Sequence, residues 1–177
     1  MRFLPLLSAS LIAAWLASPA AATPYPGQVA AAEAGNPRAA FALAIMYDTG
    51  DEVLRDFPTA LLWFHRAAEG GYAVAEAKLG LMYLVGWAVK RDPAQAARWY
   101  RKAATQGNAM AELRLARLYA SGVGVPRSLV EASVWARLAA AQGDALAAWL
   151  VERYSQHMTA SEIAQAERRA RVWRPVR

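Results

Sequence analysis

Shifting the chain against itself by 36 residues aligns three ungapped units, 36–71, 72–107 and 108–143. Eleven of the 36 columns are identical in all three, among them Leu43/Leu79/Leu115, Tyr47/Tyr83/Tyr119, Arg55/Arg91/Arg127, Trp63/Trp99/Trp135 and Gly71/Gly107/Gly143. A period of this length without a gap is the mark of a repeat array. No single unit can bury its apolar face alone, whereas stacked units bury a continuous one.

Within a unit the periodicity is helical twice. Ala39, Leu43 and Tyr47, and their counterparts, fall at i, i+4 and i+8, one stripe of a helix. Ala44, Gly80 and Ala116 follow the leucines, so a neighbouring helix can approach closely. In the second half, Ala60, Trp63, Ala67 and Ala68 again share one face. Glycine ends both helices. Asn36-Pro37 and Asp92-Pro93 supply an N-cap before a proline, and capping boxes are expected at Asp92/Gln95, Ser128/Glu131 and Thr159/Glu162. The expected fold is all-α: a right-handed α-solenoid of helix-turn-helix repeats with helical caps.

The columns resemble the Sel-one-like repeat, a relative of the tetratricopeptide repeat. The second unit carries that pattern as Ala75, Leu79-Gly80, Tyr83, Gly86, Val89, Asp92, Ala96, Trp99-Tyr100, Lys102-Ala103-Ala104 and Gly107. The third carries it as Ala111, Leu115, Tyr119, Gly122-Val123-Gly124-Val125, Ala132, Trp135, Ala139-Ala140 and Gly143. Glu52 and Ala88 stand where the pattern has a second loop glycine, which predicts a different turn in those two units. A 34-residue tetratricopeptide period fits less well. The resemblance implies a protein–protein interaction module. In this family, exported members are linked to signalling regulation, envelope processes or host contact, and cysteine-rich members to cell-wall-like compounds. The present chain has no cysteine.

The flanks read differently. Met1-Arg2, an apolar run from Phe3 to Ala17, Ser18-Pro19 and Ala20-Ala21-Ala22 lay out as a secretory signal peptide cleaved near Ala22. The run is short of the ~20 residues of a membrane span. A periplasmic or secreted protein follows, and without cysteine no lipid anchor, disulfide or thiolate site is available. Residues 23–35 read as an N-terminal segment with a partial capping helix. Residues 144–177 read as C-terminal capping helices: Asp144 to His157 resembles a first helix whose register has drifted, and Thr159 to Trp173 a charged amphipathic helix.

The search for chemistry yields no catalytic residue, no metal site and no cofactor site. His65 and His157 lie far apart in sequence, and His65 occupies the column of Arg101 and Arg137, a solvated position. Asp48, Asp51, Glu52 and Asp56 cluster near the first loop but lack a calcium-loop spacing. Of the 20 basic residues 17 are Arg, and five lie within Arg168–Arg177, so contact of that tail with an anionic surface is one reading and a solvated helix the other. Export argues against nucleic acid, and a monomer is expected.

Binding is expected on the inner, concave face, lined by the first helix of each unit. Columns turned away from the Ala/Leu/Tyr stripe give Arg38, Phe41, Ile45, Asp48 and Thr49; Val74, Ala77, Leu81, Leu84 and Val85; and Met110, Leu113, Arg117 and Ala120. Trp149 and Arg153 continue the row. The partner-binding set is Arg38, Phe41, Ile45, Val74, Leu81, Leu84, Met110, Leu113, Arg117, Trp149 and Arg153. As one exposed patch these side chains mark an interaction site for a peptide or partner helix, with the arginines orienting acidic groups. The other reading buries them between units through tight superhelical curvature, or under an N-terminal segment that folds back over them. The functional alternative is a cell-wall ligand binder or weak envelope hydrolase, which needs polar catalytic groups in the groove. The tyrosine and tryptophan columns are expected in the core.

Overall fold

The computed structural model describes residues 26–176, so the expected signal peptide over 1–22, residues 23–25 and the last residue lie outside the described residues. The described chain forms α1 (Pro26–Glu33), α2 (Pro37–Thr49), α3 (Phe57–Glu69), α4 (Ala73–Val85), α5 (Pro93–Thr105), α6 (Ala109–Ser121), α7 (Leu129–Ala141), α8 (Ala145–Ser155) and α9 (Ala160–Val172). These helices stack as an α-solenoid. In each unit a first helix packs on its second: α2 on α3, α4 on α5 and α6 on α7. Each second helix then meets the next first helix.

The helix ends follow from local chemistry. Asn36, Asp56, Asp92, Asn108, Ser128, Asp144 and Thr159 each accept backbone N–H groups of the first turn. Tyr72 stands in the cap column without a side-chain bond and packs on Phe41 instead. Of the three expected capping boxes, Thr159/Glu162 is complete. At Asp92/Gln95 and Ser128/Glu131 the cap half forms. Glu131 does not reach back, because Arg169 of α9 holds its carboxylate.

Two expectations are corrected here. Glu52 and Ala88 adopt φ of 59° and 58°, the left-handed region that Gly124 occupies at 74° in the same column. The residue in this column is therefore left-handed in all three units, in two of them with a side chain that disfavours it. α8 has also not drifted: Asp144 caps it in the column of Asn36 and Asn108, which places Leu146 and Trp149 in the columns of Met110 and Leu113.

The invariant arginines close the first helices. Arg91 Nε donates to the Leu84 carbonyl at 3.0 Å and Arg127 Nε to that of Ala120 at 3.1 Å; Arg55 reaches the Thr49 carbonyl at 3.2 Å. Each satisfies a carbonyl that a helix end leaves unpaired.

Small residues set the spacing of the layers. Gly80 lies under the fully buried Tyr100 ring, and a Cβ there would stand 2.7 Å from it. Between the layers, Gln106 donates to buried Glu76 at 2.7 Å, and Gln142 to fully buried Glu112 at 2.8 Å. The first unit loses both partners at once: Ala40 and Gly70 hold those columns. Burial pushes the Glu112 carboxyl up to about 7 against the bond from Gln142, and it raises Glu76 against Lys102 and Gln106.

The array ends by a change of partner. α9 packs on α7 rather than on α8. Arg169 holds Glu131, Arg137 meets Glu167 at 3.1 Å, and Trp173 packs edge-on against Trp135 at 6.3 Å. The chain then runs back to α5, where the Val176 N–H donates to the Thr105 carbonyl at 2.8 Å.

Candidate partner-binding face

The first helices stand side by side, and their repeat columns can be followed from one to the next. At the junction of α2 and α4, Lys78 Nζ meets Asp48 Oδ2 at 2.9 Å, with Asp48 buried. Column 48 therefore faces the next helix, not solvent. Ala77, expected on the open face, is also buried, in the seam with its neighbours.

The expected binding residues divide into two sets. Phe41, Ile45, Leu81, Leu84 and Leu113 are half-buried and pack against the core. Phe41 lies 5.7 Å from the Phe64 ring and 5.2 Å from that of Tyr72. Phe41 and Ile45 line, with Gln28, Met46, Asp51 and Glu52, a shallow cleft of about 420 Å³. The second set is open: Arg38, Val74, Met110, Arg117, Trp149 and Arg153 are exposed, at 38% for Val74, 48% for Met110 and 57% for Trp149.

Sequence reasoning missed Leu146. It is 47% exposed and continues the column of Val74 and Met110 on the next first helix. The signal was the Asp144 cap, which fixes the register of α8. Val74, Met110, Leu146 and Trp149 thus form an apolar ladder over three consecutive first helices, bordered by Arg117 and Arg153.

The core aromatics are largely enclosed. Trp63 and Trp135 are buried, while Trp99 and the three tyrosines are half-buried. His65 is not the solvated group expected from its column. It is half-buried, 5.7 Å from the Trp99 ring, with Nε2 at 3.4 Å from the Tyr83 hydroxyl. Burial lowers its pKa against the pull of Glu69. In the acidic cluster, Asp48 is committed to Lys78 and Asp56 to capping α3. No group of three His, Asp or Glu suited to a metal ion occurs among the described residues. No helix among them is long and apolar enough to cross a membrane. In the basic tail, Arg169 is paired with Glu131 and Arg174 bonds backbone carbonyls, whereas Arg168 and Arg171 are exposed.

The model of the Sel1 repeat matches residues 37–72, 73–108 and 109–144, one residue later in frame than the units drawn from the sequence. Among solved structures, the chain is similar to a Sel1 repeat protein from Oxalobacter formigenes, at 35% identity and a TM-score of 0.70. That alignment covers 72% of this chain and 96% of the other. It is also similar to a protective antigen of uropathogenic Escherichia coli strains with an SLR fold, at 29% identity and a TM-score of 0.52. There the alignment covers 82% of this chain but 39% of the antigen. No curated protein matches the chain by sequence.

Proposed function

The chain belongs to the Sel1 repeat family, and from that premise we propose that it is an exported, non-catalytic adaptor or regulator. It holds a partner polypeptide along the face of its first helices. Sel1 repeats generally mediate protein–protein interaction. The observation that carries the reading further is the apolar ladder Val74, Met110, Leu146 and Trp149. Apolar side chains left in water at one register on successive helices are favourable only where a partner covers them. The half-buried set beneath, Leu81, Leu84 and Leu113, gives that ladder a fixed floor.

The titratable groups support binding over catalysis. The strongest upward shifts, at Glu112 and Tyr100, belong to side chains enclosed between helices, away from the open face. A general acid or base has to reach a substrate.

The test is loss of partner without loss of fold. The double variant Met110→Glu, Trp149→Glu is expected to melt within a few degrees of the wild type and to lose cross-linked partners in its native compartment. Retention of every partner by a folded double variant overturns the reading. Export is checked separately by the intact mass of the mature protein, with an N-terminus expected near Thr23 and retention of residues 1–22 overturning it.

A further inference from the structure

The repeats act as each other's controls, and one column pair breaks the pattern. Lys78 and Arg114 occupy the same column, as do Asp48 and Leu84. At the α2–α4 junction the cation and the carboxylate of these columns meet at 2.9 Å. At the α4–α6 junction the cation is present and the carboxylate is replaced by Leu84. Arg114 and Arg117 there line a cleft of about 240 Å³ with Leu84, Leu118, Ser121 and Val123. Among the described residues, neither arginine has an ion pair with a carboxylate. The Ser121 hydroxyl is turned inward, to the Arg117 carbonyl at 2.9 Å. The cleft therefore offers two guanidinium groups over an apolar floor.

We propose that the cleft between α4 and α6 binds an aspartate or glutamate side chain of the partner, flanked by an apolar residue. Arg114 and Arg117 hold its carboxylate where Asp48 stands one repeat earlier, and Leu84, Leu118 and Val123 take the neighbouring apolar side chain. This rests on the first-helix face being the partner surface and names the chemistry it selects. A guanidinium pair favours carboxylate through charge-assisted, two-pronged hydrogen bonds. At the α6–α8 junction the corresponding residues are Ala120 and Leu150, so no second carboxylate is called for there. The recognised motif has one acidic residue at this point, not an acidic run.

The probe is the capped tripeptide acetyl-Leu-Asp-Leu-amide, titrated into the full mature chain while the side-chain Nε–H signals of Arg114 and Arg117 are followed by NMR. Saturable shifts are expected, weakened at least tenfold with acetyl-Leu-Asn-Leu-amide. Arg114→Gln is expected to abolish them. Leu84→Asp, which supplies the missing carboxylate within the chain, is expected to do the same while leaving the melting temperature equal or higher. Equal shifts from the Asn peptide, or shifts that survive in Arg114→Gln, overturn the site. Saturation by inorganic phosphate or by the uncapped acid acetyl-Leu-Asn-Leu, but not by the Asp peptide, reassigns it and also overturns the proposal. Failure of the tripeptide while the double variant at Met110 and Trp149 still loses its partner removes this site and leaves the partner face standing. Tripeptide binding with every partner retained by that variant overturns the partner face and, with it, the assignment of the cleft to a partner's side chain.

Discussion

The two outer surfaces of the solenoid treat apolar substitution in opposite ways. On the second-helix side, α5 presents Arg98 and Lys102 to water, and α7 replaces them with Val134 and Leu138. α9 covers that change, and both residues are buried. On the first-helix side, Arg38 gives way to Val74, Met110 and Leu146 in one column, and Trp149 joins them. No helix among the described residues covers them. Over α7 the fold closes its apolar surface, whereas Leu62 of α3, in the column of Arg98 and Val134, stays 52% exposed. The contrast places Val134 and Leu138 in the fold's own core and leaves the ladder open for the proposed partner.

Substitution on each side can break that contrast. Leu138→Glu puts a charge beneath α9 and is expected to cost about 3 kcal/mol or more, read as a lowered denaturant midpoint. Met110→Glu and Leu146→Glu are expected to stay within about 0.5 kcal/mol of wild type. If they cost as much as Leu138→Glu, the two faces are not different in kind.

Between the faces, Glu112 supplies a pH test. Its carboxyl titrates near 7 when folded, against an ordinary 4.5. Across that window the folded state binds the extra proton, so stability declines as pH rises from about 4.5 to 7 and is level above. Glu112→Gln is expected to gain up to about 3 kcal/mol at pH 8 and nothing below pH 4. The same gain at both pH values would mean that Glu112 is not held protonated by burial between the layers.

A smaller effect is expected at Ala88→Gly, in the loop joining the layers of the second unit. Relieving a left-handed alanine should stabilise by about 1 kcal/mol in chemical denaturation. No gain would mean that the loop, unlike the packed layers, adapts to its sequence.

Most of the architecture was legible because periodicity, caps and glycines point the same way. The packing of α9 on α7 was not read from the sequence, although Val134 and Leu138 stand where α5 has Arg98 and Lys102. Registers set by packing were less visible. Ala77 looks like a surface residue by helical spacing, yet the neighbouring helices close over it. Glu52 and Ala88 break the glycine pattern, and propensity alone predicts a different turn there, yet both adopt the left-handed backbone of Gly124. On the candidate face, spacing groups Leu81 with Met110 but does not say that one is half-buried and the other exposed. Leu146 appeared only once the Asp144 cap fixed the register of α8.

The central claim, that the ladder of first helices and not the second-helix face meets a partner, is tested most directly by photo-cross-linking. A benzoylphenylalanine at position 110, 146 or 149 is compared with one at exposed positions 62 and 98 of the second helices, each in the full chain in its native compartment. One discrete cross-linked product shared by the three first-helix positions and missing from the other two is expected. Products from positions 62 and 98, with none from the ladder, would contradict it.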